Sequence, residues 1–265
     1  MRLRFSRFFM ALLMVGVLLV GGCSTPPAAS STSETSIAKS KATEASSKTT
    51  QATSEPTTTS ESVPGMSNLP KLAGKATVEM TVNGGKIEIE VDGTNAPITG
   101  GNFVDLVNKG VYNGLMFHRV IKSPQPFVAQ GGDPQSKDPN VPVSRLGTGS
   151  YVDDKTGKIR YIPLEIKPKG AAEPIYSKTF EQARITQVPE LQHKQGAIAM
   201  ARSQAPDSAS SQFYFALAEL DFLDGNYAVF GYVTKGFDVV NKIQQGDRIE
   251  SATVIKGLEN LKVDQ

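Results

Sequence analysis

The residues best suited to chemistry lie in one segment, "FHRVIKSPQPFVAQGGDP", which runs from Phe117 to Pro134. An arginine, Arg119, stands beside Phe117 and Val120, and a glutamine, Gln130, follows the apolar run Phe127-Val128-Ala129. Guanidinium is planar and always charged, so on a strand it is a fixed hydrogen-bond donor rather than a proton shuttle. The pair Gly131-Gly132 lets the chain turn sharply where a side chain would obstruct neighbouring backbone. Other chemistries lack their residues. No GxSxG is present, so Ser210-Ser211 has no nucleophile elbow. His118 and His193 are far apart and have no companion at metal spacing, so no metal site is expected. His118, between Phe117 and Arg119, reads as a hydrogen-bonded core histidine. Asp133 and Glu165 have no spacing that would make them a catalytic carboxylate pair.

The elements that must position this segment are mostly strands. "ATVEMTVNGGKIEIEVDG" alternates Val78, Met80, Val82, then Ile87, Ile89, Val91, with Asn83-Gly84-Gly85 between, and this predicts a β-hairpin. In "PITGGNFVDLVNKG", Phe103, Leu106 and Val107 fall at helical spacing, and Gly110 is placed to stop the helix. The Phe117 segment is a third strand; "GAIAMAR", "SSQFYFAL", "YAVFGYVT" and "SATVIKG" are further ones, and "GFDVVNKI" is a second, short helix. Many short strands with two helices predict a mainly β fold, a closed antiparallel barrel capped by helices. The stretch from Gln135 to Lys194 is turn-rich and reads as surface loop, with one strand candidate at "YIPLEI".

The N-terminus has a different character. Arg2, Arg4 and Arg7 precede the apolar run Phe8 to Val20, the pattern of a signal peptide and too short for a spanning helix of about 20 residues. Cys23, the only cysteine, ends "VGGC", which resembles a bacterial lipobox and implies cleavage after residue 22 and a lipid on its sulfur. A lone cysteine also excludes an intrachain disulfide. From residue 23 to Leu72 the chain is rich in Ser, Thr, Ala, Pro and Lys, and no aromatic residue occurs between Phe9 and Phe103. Such a segment buries too little apolar surface to fold and is expected to be a disordered tether. The folded domain is expected over 73–265. Of 28 basic and 26 acidic side chains, three basic ones lie in the signal segment, so net charge moves from +2 to −1 on cleavage, and no nucleic-acid partner is expected.

Three segments together, "FHRVI…FVAQGGDP", "GAIAMAR…SSQFYFAL" and "FLDGNYAVFGYV", resemble the signature segments of the cyclophilins, the cyclosporin-binding peptidyl-prolyl cis-trans isomerases. The resemblance implies a closed eight-stranded antiparallel β-barrel capped by two α-helices, and no cofactor. It implies a pair acting on the prolyl bond, Arg119 and Gln130. It also implies a substrate surface of Phe127, Val128, Met200, Ala201, Arg202, Gln212, Tyr214, Phe222, Leu223 and Tyr227. Arg202-Ser203 stand where many members have Asn-Ala, Gln204 is an added residue, and Phe222 replaces a tryptophan, which implies weak affinity for cyclosporin-type ligands. The expected protein is a monomeric isomerase for proline-containing exported polypeptides. It would be held by the lipid on Cys23 to a bacterial membrane, at its periplasmic side or the cell surface. The alternative is a non-catalytic docking or scaffold module of the cell envelope that uses the same groove.

Overall fold

A computed structural model describes residues 66–263. The signal segment, Cys23 and most of the expected tether lie outside the described residues. In chain order the strands are β1 (Lys71–Leu72), β2 (Lys75–Val82), β3 (Gly85–Asp92), β4 (Arg119–Val120), β5 (Val128–Gly131), β6 (Glu165–Ile166), β7 (Ile175–Tyr176), β8 (Ala197–Met200), β9 (Phe213–Ala216), β10 (Val229–Lys235), β11 (Ile249–Lys256) and β12 (Leu261–Lys262). The helices are α1 (Pro97–Asn108) and α2 (Phe237–Lys242). Eight strands form one antiparallel sheet in the order β11-β2-β3-β10-β8-β9-β5-β4. The sheet curls until its two edges approach one another, as the barrel expected from the sequence requires. Its two edges meet around an isolated bridge between Met116 and Arg248, where backbone hydrogen bonds run from Gly114 N to Ile249 O, Ile249 N to Leu115 O, Phe117 N to Asp247 O and Gly246 N to Phe117 O. The Arg248 guanidinium donates to the carbonyls of Gly114 and Ser136 and reinforces that seam.

The β2–β3 hairpin follows its sequence pattern. Val78 pairs with Ile89 and Met80 with Ile87, so the alternating apolar residues share the inner face and are all fully buried. Asn83 and Gly84 make the two-residue turn with φ of 51° and 72°, the left-handed pair that suits the twist of a hairpin. Helix α1 begins with Pro97 at its first turn, where no N–H is needed. Its free amides at Ile98 and Thr99 are taken by the buried carboxylate of Glu165. It ends as the sequence predicts. Gly110, at φ 68°, donates to Val107 O while Val111 donates to Leu106 O.

Phe103 of α1 joins Tyr112, Phe117, Phe213, Phe215 and Phe230 in the core enclosed by the curled sheet. Edge-on contacts, such as Phe103 to Phe213 at 5.5 Å, satisfy the opposed charges of ring edge and ring face.

Two expectations need correction. The folded part begins before Ala73: β1 pairs with β12, and Leu72 is fully buried against the core. Gly101 of α1 makes this possible, because a Cβ there would lie 2.5 Å from the Pro70 carbonyl oxygen. The stretch from Gln135 to Lys194 is not merely surface loop. It buries Tyr151 and Ile162, and its Leu164, Ile166 and Phe180 cluster with Ala228. Only Glu165–Ile166 of "YIPLEI" is strand, paired with β7.

Candidate active site

Register places the chemistry. Arg119 lies directly opposite Gln130 across β4 and β5, and Gln130 lies opposite Tyr214 across β5 and β9. Directly opposed residues share a face. Alternation therefore sends Arg119, Gln130, Val128 and Tyr214 to the outer face of the sheet, while Phe117, Ala129, Phe213 and Phe215 fill the interior. Ala199, opposite Tyr214 on β8, joins the outer face. The site is thus a shallow cleft on the outside of a packed sheet, part apolar wall and part polar side chain, with small alanines beneath it.

The cleft encloses about 200 Å³ and is lined by Arg119, Phe127, Val128, Gln130, Ala201, Arg202, Tyr214, Leu223 and Tyr227, all expected from the sequence. Arg119 is exposed, and its guanidinium lies 5.6 Å from the centre of the Phe127 ring. Its Nη1 donates to Gln130 Oε1 at 3.2 Å. Gln130 Nε2 donates to Gln212 Oε1 at 3.1 Å, and Gln212 Nε2 donates to the Gly149 carbonyl at 2.8 Å. The two amides are therefore oriented end to end, and each presents its oxygen toward the arginine side. Among the described residues Arg119 has no carboxylate partner, and it lines the cleft with one side-chain hydrogen bond, to Gln130.

Gln212 belongs to a neighbouring cleft of about 350 Å³, which shares Gln130, Ala201 and Arg202 with the first. Phe222 is two-thirds exposed and stacks on Phe127 at 6.1 Å, forming the rim. Met200 is placed differently from expectation. It is 1% exposed and points into the barrel core, because it lies opposite the inward-facing Phe213. Arg202 is not free to reach a ligand. It donates twice to the Asn226 carbonyl and again to those of Ser203 and Gln204, and it stacks 4.7 Å above the Tyr227 ring. It is a partition between the two clefts.

Sequence reasoning missed the second layer. Asp133 is fully buried and accepts from the amides of Gln135, Gly147 and Gly149, which fastens the loop that receives Gln212. A Cβ at Gly149 would lie 2.0 Å from Asp133 Oδ1, so glycine is required there. The run Gly147-Thr148-Gly149-Ser150 was the available signal of close approach. Glu165 serves the α1 N-terminus instead, so the two carboxylates do not form a pair. Burial pushes the Glu165 carboxyl above the ordinary range. His118 is a core histidine, but neither ring nitrogen has a hydrogen-bond partner among the described residues, contrary to expectation. Burial lowers its pKa. Burial also holds the Tyr214 hydroxyl well above the ordinary tyrosine range, so it stays protonated. No cluster of three metal-ligating side chains exists among the described residues.

Residues 77–260 match the family model for cyclophilin type peptidyl-prolyl cis-trans isomerases, and the chain belongs to that family. A Synechocystis sp. protein assigned as a thylakoid lumen peptidyl-prolyl cis-trans isomerase is 43% identical over 74% of this chain and 51% of its own length. The chloroplastic isomerase CYP38 of Arabidopsis thaliana is 39% identical over 73% of this chain and 45% of its own. The chain thus spans about half the length of these relatives. Among solved structures, a Cryptosporidium parvum cyclophilin type isomerase in the presence of the dipeptide Ala-Pro is similar at TM-score 0.50 and 25% identity. That match covers 68% of this chain and 99% of the other.

Proposed function

We propose that this protein is a peptidyl-prolyl cis-trans isomerase. The observation that carries the reading is Arg119, exposed, oriented by Gln130, free of any acidic partner among the described residues and set in a cleft whose walls include Phe127, Val128, Leu223 and Tyr227. An X–Pro bond crosses a barrier of about 18–20 kcal/mol through a twisted amide, unaided in tens to hundreds of seconds. Twisting breaks the amide resonance and leaves the prolyl nitrogen pyramidal, with a lone pair that accepts a hydrogen bond. A guanidinium held nearby stabilises that state and hardly touches the planar ground state, which is the condition for catalysis rather than tight binding.

A turnover near a millisecond needs roughly a 10⁵-fold gain, or about 7 kcal/mol. One charge-assisted hydrogen bond supplies about 1.5–3 kcal/mol. The rest falls to the apolar walls, Phe127, Val128, Leu223 and Tyr227, which exclude water from the twisted bond, and to the amides of Gln130 and Gln212, which offer the flanking peptide fixed donors and acceptors. The Ala-Pro dipeptide present with the Cryptosporidium relative supports a proline-containing ligand. A docking module would need the walls but not an unpaired arginine, so that observation favours turnover. The direct test is NMR exchange spectroscopy of a short Ala-Pro peptide with the purified chain; cis–trans exchange no faster than in buffer would overturn the reading.

The setting follows from the N-terminus. The basic and apolar segment before "VGGC" supports export and lipidation at Cys23, and the thylakoid lumen assignment of the Synechocystis relative agrees with work outside the cytoplasm. Exported chains arrive unfolded and wait on slow prolyl steps, which makes them the natural substrates of a membrane-tethered isomerase. Cys23→Ser should release the mature domain into the soluble fraction or leave the precursor uncleaved; firm membrane association of the variant, equal to that of the parent, would refute the anchor.

A further inference from the structure

Behind the cleft lies a chain of three hydrogen-bonded side chains that the isomerisation reading does not use. The Tyr214 hydroxyl is 2.9 Å from His193 Nε2, and His193 Nδ1 is 2.7 Å from Asp224 Oδ1. The same carboxylate oxygen accepts the backbone N–H of His193 at 2.9 Å. The imidazole is fully enclosed, and its ring stacks on that of Tyr214 at 6.0 Å. The direction of each bond is fixed by what each group can do. A carboxylate only accepts, so His193 carries a proton on Nδ1; in the neutral ring the bare Nε2 then accepts from the Tyr214 O–H. One tautomer satisfies every atom along the chain.

These three residues come from three separate parts of the fold. Tyr214 belongs to β9 and forms part of the cleft wall. His193 lies on the segment leading into β8. Asp224 ends the short turn Asp221–Leu223, which carries Phe222 and Leu223 to the cleft, and Tyr227 follows it. Within that turn the backbone bonds are local, Leu223 to Leu220 and Asp224 to Asp221. His193 fastens the start of the turn, since its carbonyl also accepts the Leu220 N–H at 2.8 Å, while Phe180 N and the Arg202 side chain hold the carbonyls of Gly225 and Asn226 that follow it. A buried imidazole, phenol and carboxylate beside Ala197, Ala199 and Val229 is a poor way to gain stability, because apolar residues would fill the space without desolvation. It is a good way to fix orientation.

We propose that His193 and Asp224 are positioning residues for the cleft. The Asp224–His193–Tyr214 relay locks the turn bearing Phe222 and Leu223 to the floor, and so sets affinity for the proline-containing peptide. Stabilising the twisted amide stays with Arg119. This rests on the isomerase reading above. The relay is testable on the full-length chain by three measurements. Long-range ¹H–¹⁵N NMR of the His193 ring should show the proton on Nδ1; a proton on Nε2 would overturn the relay. Titration with an Ala-Pro peptide should show about five- to tenfold weaker binding for Asp224→Asn and for Tyr214→Phe, the effect of weakening one hydrogen bond of the chain. The double variant should be no weaker than the worse single one, because either break empties the same chain. Exchange at saturating peptide should leave the Asp224→Asn turnover within about twofold of wild type. Unchanged binding in both singles, additive losses in the double, or turnover and melting temperature falling together would each refute a positioning role. A wild-type chain that binds the peptide but does not isomerise it would sink the isomerase reading, while the tautomer and the titrations still decide the relay.

Discussion

Arg119→Lys separates charge from geometry. Arg119 makes one side-chain hydrogen bond among the described residues, from Nη1 to Gln130 at 3.2 Å, and lies 5.6 Å over Phe127. The other guanidinium nitrogens make no hydrogen bond among the described residues while the first is held, which leaves them available to a substrate in the cleft. Lysine has one nitrogen for both tasks: bonded to Gln130 it cannot reach the prolyl nitrogen, and turned to the substrate it is no longer held. Its ammonium is also more strongly hydrated and must shed water against Phe127. The loss is one aimed, charge-assisted bond, about 1.5–3 kcal/mol, which slows turnover roughly 10- to 100-fold. Binding should weaken far less, about threefold or under, because a planar amide nitrogen is a poor acceptor and the apolar walls are intact. Arg119 is exposed, so the melting temperature should be unchanged within error. Exchange spectroscopy at saturating peptide reads turnover, and a chemical-shift titration reads binding. Wild-type turnover in Arg119→Lys would show that the aimed fork is irrelevant; a loss confined to binding would show that Arg119 grips the ground state.

Three further outcomes follow from the surrounding geometry. Asp133→Asn keeps the shape but gives up one accepting oxygen where three amides converge; leaving one donor unpaired should cost about 1–3 kcal/mol, or roughly 3–10 °C of Tm, and an unchanged melt would contradict it. His118 has a pKa lowered by burial, so the unfolded chain binds its proton more readily, and stability falls as pH drops below about 6.5. His118→Leu should therefore gain on the wild type in urea unfolding as pH is lowered from 7 to 5, and a pH-independent gap would refute this. Phe222→Trp adds an indole N–H at the exposed rim and should tighten cyclosporin binding by about 1 kcal/mol, with calorimetry showing no gain as the contrary result.

The fold was legible where residues obey a local period. Val78, Met80 and Val82 against Ile87, Ile89 and Val91 specify a hairpin, because burying one face of a strand requires alternation. Asn83-Gly84 can take the positive φ of its turn. The segment from Gln135 to Lys194 has no such period, yet it packs. Its apolar residues are spaced irregularly, and its backbone is satisfied by side chains far along the chain. Tyr151 N donates to Ser210 Oγ, and Leu164 N donates to Asp207 Oδ1. Neither partner can be inferred from the residues beside it. Leu72 was misplaced for a similar reason, since its strand partner Leu261 lies at the far end of the domain.

The same distinction separates the two layers of the site. Arg119 and Gln130 face one another because seven residues, 121–127, fold β5 back onto β4; read as a single strand, the Phe117 segment keeps both residues together but not their facing pair. Met200 shows what spacing alone leaves open. Every residue of "AIAM" is buried, so hydrophobicity does not say which alternate residues face inward. The decision comes from the neighbouring strand, where Tyr214 carries a hydroxyl that must be satisfied and Phe213 and Phe215 do not. Parity then propagates by register. Met200 follows Phe213 into the core, Ala199 follows Tyr214 to the outside, and Ala201 next in line reaches the cleft. The groups that aim those side chains, Asp133 behind the Gly147–Gly149 loop and His193 behind Tyr214, are defined by what they touch in three dimensions. A lone histidine with no companion in sequence carries no local sign of that role, and only the fold supplies its two partners.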